Sequence, residues 1–340
     1  MLENYIPALY NLVAFALLIS IVVFIHEYGH FYFARLFGVR VEKFSIGFGK
    51  VIFSRVDKLG TKWQIACIPL GGYVKMYGET DTSNTPDKSK SIKHDHSFYH
   101  KALWKKMIIV IAGPIANLLS AVIILACIIY LHGITITSSV TTMDMGGNDI
   151  ILQKITKHPE TSKHVEQIAR IQQDIENDNI NVDELIDKMP LNDIGSSDRI
   201  AISVGLVDSI IYSTKFVYEF SCMILNGLKA IFMHGTGLND IGGPLKIAQY
   251  SGNALQSGIY SFFFAVVVIS INLGLLNLMP IPLLDGGHLF FYIIEFIIRR
   301  PVPQIIQKIA SFIGYSILIA LMTIAIKNDI FNSLFNIASM

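Results

Sequence analysis

The sequence predicts an α-helical polytopic membrane protein: about four transmembrane helices, a cytoplasmic-side β-hairpin and a small extracytoplasmic insert. Three observations predict it. Hydrophobic residues make up 52% of the 340 and charged residues only 16%, where a soluble domain carries about 25% charged; the mean hydropathy is +0.50. Long apolar runs recur along the chain. The polar segments between them alternate in charge sign. A net charge of +1 offers no bulk case for nucleic-acid binding, so the expected surroundings are the lipid bilayer. Cys67, Cys127 and Cys222 lie far apart without C-x-x-C spacing. They read as isolated structural thiols, not as a disulfide framework or a cysteine metal site.

The first run, Tyr5 to Ile25, has 21 residues, about 31 Å as a helix and enough to span. Glu3 stands where a signal peptide carries basic residues, and His-Glu follows where a small-x-small site would, so a retained helix is expected. The second run, Met107 to Leu131, has no charge. The third, Ile259 to Leu284, ends in the proline-broken stretch "NLMPIPLL". The fourth, Ile309 to Ile326, is shorter and also uncharged. A further candidate, Ile210 to Phe232, carries Lys215, Glu219 and Lys229 and reads as an amphipathic helix lying in the interface.

The connecting segments set the topology. Arg35 to Lys106 holds 14 Lys/Arg against 6 Asp/Glu, and His132 to Ile200 holds 6 against 12. The positive-inside rule puts the first in the cytoplasm and the second outside. Four spans then leave both termini outside, and the 285–308 connection, with Arg299, Arg300 and Lys308, falls inside as the rule requires. Within the first segment, the residues from Lys50 to Met76 read as two β-rich arms around an Asp57-Lys58-Leu59-Gly60 turn. Gly71 and Gly72 permit a tight bend or a close backbone approach. Thr80 to Ser97 reads as a solvated loop, and its His94 and His96, with His100 beyond, lack the acidic partner a metal site would need.

The chemistry sits at "FIHEYGH". His26-Glu27-x-x-His30 is an H-E-x-x-H, and residues four apart share one helix face, so both imidazoles can reach one metal ion. Two His suit Zn²⁺, and the adjacent Glu27 can act as general base toward a water on the metal. The alternative, polar groups snorkelling at a helix end, is weakened by their cost at the edge of a bilayer core. A catalytic zinc needs a third protein ligand. Pro280 and Pro282 break the late helix, and Asp285 follows at a depth matching His26 and His30. His288 is a rival ligand. Asn117, in "AGPIAN", is a candidate amide donor for an oxyanion or, equally, helix–helix glue beside Gly113, Ala116 and Ser120.

H-E-x-x-H in a first transmembrane helix, paired with N-x-x-P-x-P-x-x-D-G in a late one, resembles the site-2 protease family of intramembrane zinc metalloproteases. Glu42 to Glu79, "AGPIANLL", "GGPLKIAQ" and "INLGLLNLMPIPLLDGGHLFF" resemble its regulator-of-sigma-E protease branch. The resemblance covers about two-thirds of the chain and implies the roles. His26, His30 and Asp285 would bind zinc, and Glu27 would activate the water. The strands around Gly71 and Gly72 resemble the family's membrane-reentrant β-hairpin, whose edge could hold substrate backbone extended. Asn272 and Asn277 resemble positions where substrate contact is implied. Single-span membrane proteins are the implied substrates: an anti-sigma factor already clipped outside, or a remnant signal peptide. The implied location is the inner membrane, with the active site near its cytoplasmic face.

One region departs from that branch. Residues 132–206 are too few for its usual PDZ domain, and Ala169 to Pro190 reads as helical, so the PDZ is expected to be absent, shrunken or rearranged. Two other readings compete with this one. Prenyl-processing membrane proteases also embed H-E-x-x-H but take a downstream Glu or His, which the L-D-G element argues against. An inactive scaffold of the same fold predicts loss of His26, Glu27, His30 or Asp285, and all four are present.

Overall fold

A computed structural model describes residues 6–78, 96–136, 141–144, 149–152, 200–202, 204–235 and 242–338. It is mostly helical. Four helices are long and apolar enough to cross a membrane, over Pro7–Leu36, Leu103–His132, Ile259–Leu278 and Gln304–Ile330.

α1 (Ile6–Leu36) begins in the first apolar run and continues unbroken through His26-Glu27-x-x-His30. No proline or glycine pair interrupts it, so the polar trio keeps helical spacing. α2 (Leu103–His132) packs along α1. Its Pro114 lies inside the helix, where it lacks the N–H that would bond four residues back. α5 (Ile259–Leu278) is the third candidate span. Ala121, Leu125, Ile128 and Ile129 of α2 bury against Phe264, Val267, Ile271 and Leu275 of α5. Phe216 and Val217 of α3 (Leu206–His234) close that cluster. α3 is not among the four candidate spans, and Leu206, Val207, Ile210 and Ile211 in its first turns are exposed.

α4 (Pro244–Ser257) starts with proline at its first turn, where the missing N–H costs nothing. Its small residues Ser251, Gly252 and Ala254 are buried, and Ala254 packs with Leu18 and Val22 of α1 and Phe262, Ala265 and Val266 of α5. After α5 the chain breaks over Met279–Leu284. It then re-enters a helix the sequence reading did not separate, α6 (Asp285–Ile298). α7 (Gln304–Ala338) runs well past the expected fourth run.

The expected hairpin is β1 (Val41–Val56) and β2 (Lys62–Met76). Both strands bend. Val41 to Ile46 pairs antiparallel with Gly72 to Met76 on one side, while Lys43 to Ile46 lies along Lys62 to Ile65 on the other. Val51 to Val56 pairs antiparallel with Lys62 to Ala66. β1 turns through Gly47 and Gly49, with φ of 87° and 86°, backbone that favours glycine. The sheet is therefore a compact patch with Gly72–Met76 at one edge and Val51–Val56 at the other. Phe44, Val41 and Met76 bury against Phe31 and Ala34 of α1 and Ile109 of α2.

Of the acidic insert, four short strands are described: β3 (Ile134–Ile136), β4 (Thr141–Asp144), β5 (Asp149–Leu152) and β6 (Ile200–Ile202). β3 pairs with β6 and β4 with β5, both antiparallel. The β3–β6 pair brings the insert's exit back beside its entry. The PDZ question and the helical reading of 169–190 lie outside the described residues, as does His94. His96 bonds the Gly38 carbonyl through Nδ1 at 3.1 Å. The three cysteines are free.

Candidate metal centre

Three ligand atoms meet where α1, α2 and the α5–α6 break converge. His26 Nε2 lies 3.2 Å from His30 Nε2 and 3.0 Å from Asp285 Oδ2, and His30 Nε2 lies 3.4 Å from the same oxygen. Among the described residues, His26, His30 and Asp285 form the group able to hold a metal ion; His288 falls outside it. For ligand bonds of roughly 2.0–2.1 Å, tetrahedral geometry sets donor–donor edges of about 3.3 Å. The three observed edges bracket that value. Asp285 Oδ2 is buried and has no hydrogen-bond partner, the condition of an acceptor waiting for a cation. Two imidazoles and one carboxylate, with the remaining position open, fit Zn²⁺ as a catalytic donor set.

Each ligand is oriented by its own neighbour. His30 Nδ1 lies 2.8 Å from the Ile109 carbonyl oxygen. It donates there, which fixes the tautomer and leaves Nε2 as a ligand. Gly113 faces the His30 ring: a Cβ there would collide with Nε2. Position 113 therefore makes the room His30 occupies.

His26 is held from both sides. Its Nδ1 lies 3.3 Å from the Asn117 amide nitrogen and its Nε2 lies 3.3 Å from the Asn277 amide nitrogen. Asn117 is fully buried, and its Oδ1 has no partner. Turning that amide over lets Oδ1 accept from Nδ1–H, and we assign it so. His26 Nε2 is then the ligand nitrogen. Asn117 thus meets the far side of the imidazole, while Asn277 stands on the metal side.

Asp285 is aimed by the break before it. Leu283 takes φ of 104°, a strained backbone for a residue with a Cβ. The amides of Gly287 and His288 both return to the Leu284 carbonyl, at 2.9 and 3.3 Å. Gly286 and Gly287 sit directly on the carbonyls of Leu278, Met279 and Ile281, with no space for a Cβ. The "DGG" spacing thus folds α6 tightly back under α5 and places the aspartate at the first turn of α6.

Glu27 lies next to the cluster on the face toward the hairpin. The Val74 backbone N–H donates to its carboxylate. A Cβ on Gly72 would stand 2.7 Å from the Ser45 carbonyl and 3.3 Å from Glu27 Cγ, so glycine there lets the strand press against the glutamate. Gly71 takes φ of 139° beside the Phe48 ring. Asn272 sits apart from the cluster and donates to the Val268 carbonyl at 2.9 Å. The sequence reading missed three contributors: the Ile109 carbonyl, the Gly113 recess and the Val74 amide. Only Gly113 had a signal, as a small residue in "AGPIAN".

Comparisons with known proteins identify the family. The description "Peptidase family M50" matches residues 14–321. Several relatives are named "Putative zinc metalloprotease", among them those of Rickettsia conorii and Campylobacter jejuni. That of Rickettsia conorii is 33% identical over 95% of this chain and 99% of its own; that of Campylobacter jejuni is 32% identical over 93% and 92%. The "Regulator of sigma E protease" of Haemophilus influenzae is 26% identical over 94% and 98%. By a match that spans most of its length, the chain belongs to peptidase family M50, the site-2 protease family.

Proposed function

We propose that the protein is an intramembrane zinc endopeptidase that cuts single-span membrane proteins in or near their transmembrane segments. One observation carries this reading: His26, His30 and Asp285 converge at tetrahedral edge distances, with Glu27 beside them facing a strand edge. Zinc held there supplies Lewis-acid polarisation and a water nucleophile at neutral pH.

The chain's own residues do the rest. Glu27 takes the proton from the attacking water and returns it to the leaving amine. The Asn277 amide donates to the oxygen on which negative charge develops. Asn117 and the Ile109 carbonyl hold the two imidazoles in register. The outer edge of Gly72–Met76, already turned toward Glu27, pairs with the substrate backbone and keeps it extended. That step is needed because a helical substrate hides its peptide bonds in i to i−4 hydrogen bonds. Gly71 shapes the start of this edge. Asn272, its NH₂ committed to Val268, offers Oδ1 to a substrate amide.

The charge bias of the connecting segments supports an inner-membrane location with both termini outside and the site near the cytoplasmic face. An anti-sigma factor already cut outside, or a remnant signal peptide, has the required single span. The test is Glu27→Gln, co-expressed with such a substrate. Cleavage falls by about 10²–10⁴-fold while zinc stays near one per chain. Persisting cleavage would remove Glu27 from the base role.

A further inference from the structure

We propose that a basic cleft at the membrane boundary, away from the metal centre, binds the head group of an anionic phospholipid. The cleft holds about 560 Å³ and is lined by Leu103, Glu295, Phe296, Ile297, Arg299, Arg300 and Pro301. That volume lies within the roughly 300–1,000 Å³ of small-ligand pockets.

Its charge is uncompensated. Glu295 faces Lys106, which answers its negative charge. Neither Arg299 nor Arg300 takes part in an ion pair among the described residues. Two neighbouring guanidiniums, each a planar fork of donors, match a phosphate. Arg299 also closes α6 in the left-handed region, at φ of 57°. Glycine is the usual residue at that position, and a side chain there costs free energy. The strain is retained at one of the two cationic positions.

The cleft's level in the membrane selects a lipid over a soluble anion. Leu103 is the first residue of the second candidate span. Trp104 beside it is 54% exposed, with the Lys105 ammonium 5.4 Å from its ring centre, an arrangement typical of the headgroup layer. Phe296, Ile297 and Ile298 are each at least 60% exposed on the adjoining turn of α6. A phosphate at the arginines would leave its acyl chains along these side chains. Basic pockets between transmembrane helices at the boundary take anionic head groups in this way.

The test uses the full-length protein in neutral detergent, titrated with phosphatidylglycerol or phosphatidylcholine and read by native mass spectrometry. The wild type retains one phosphatidylglycerol in preference to phosphatidylcholine. Arg299→Gln and Arg300→Gln each weaken that retention about fivefold, and the pair abolishes the preference. Lys50→Gln/Lys58→Gln, which removes the same charge from the hairpin, leaves it intact. Arg299→Gly relieves the backbone strain, so it keeps or raises the melting temperature while losing lipid. Inorganic phosphate at millimolar concentration does not displace the lipid. Equal retention of both lipids, equal loss in the lysine control, or displacement by free phosphate each overturns the assignment. So does unchanged retention in the double arginine variant with altered cleavage of an acidic-flanked substrate, which would make the cleft a peptide site.

Discussion

At the scale of single residues, the site depends as much on what orients the ligands as on the ligands. Asn117→Ala removes the partner of His26 Nδ1, and loss of such an outer partner weakens metal affinity about 10–100-fold. Chelator competition measures it. Gly113→Ala places a methyl on the His30 ring and is expected to lower zinc affinity at least as much, with the helices otherwise folded. The H-E-x-x-H ligands were legible because helical spacing is periodic, and Asp285 was legible because two prolines and two glycines mark a break at matching depth. Asn117 was legible only as a polar group in an apolar helix. Its contact with His26 depends on how α1 rolls against α2, and no local pattern encodes that roll. The same holds for the Ile109 carbonyl, which carries no side-chain signal at all.

At the scale of elements, the hairpin is fastened to α1 by a small polar clasp. Arg35 Nη2 donates to Asp57 Oδ2 and to Thr61 Oγ1, each at 2.6 Å. Trp63 Nε1 donates to Asp57 Oδ2 at 3.1 Å, and the Leu59 and Thr61 amides both donate to Asp57 Oδ1 at 2.9 Å. Desolvation pushes the Asp57 carboxyl up. The bonds from Thr61, Trp63, Arg35 and Leu59 outweigh it and hold the pKa below its ordinary value. A lowered folded-state pKa contributes stability that is present above the unfolded value, about 3.9, and is lost as pH falls through the folded one. Thermal unfolding should therefore separate wild type from Asp57→Asn at pH 7, and the gap should close below about pH 4. Gly72→Val acts at the other end of the sheet. It should lift the strand from Glu27 and reduce cleavage while zinc content stays unchanged. The Asp57 turn and its flanking strands were legible from β-rich arms around a turn sequence. The bend that lays Val41–Ile46 between two halves of β2 was not, because it follows from sheet pairing among distant segments.

At the scale of the whole molecule, Gly314 and Asp329 tie α7 to the rest. Gly314 meets the Pro282 carbonyl in the segment leading to Asp285. Asp329, 7% exposed, caps α4 by accepting from the amides of Gly243, Leu245 and Lys246 at 2.9, 3.0 and 3.3 Å. A carboxylate at a helix N-terminus satisfies orphan donors and opposes the helix dipole. Asp329→Ala leaves those amides unpaired and should cost about 2–3 kcal/mol, seen as a lower melting temperature in detergent. The four spans were legible as charge-free runs. The capping of α4 was not, because its "GGP" start shows no side-chain cap and the carboxylate comes from more than 80 positions away.

The convergence of His26, His30 and Asp285 calls for one zinc shared by α1 and the α5–α6 break. Metal analysis of the purified protein tests it most directly. About one zinc per chain is expected in the wild type and in Glu27→Gln, with most of it lost in Asp285→Ala as in His26→Ala. A full zinc complement in Asp285→Ala would contradict it.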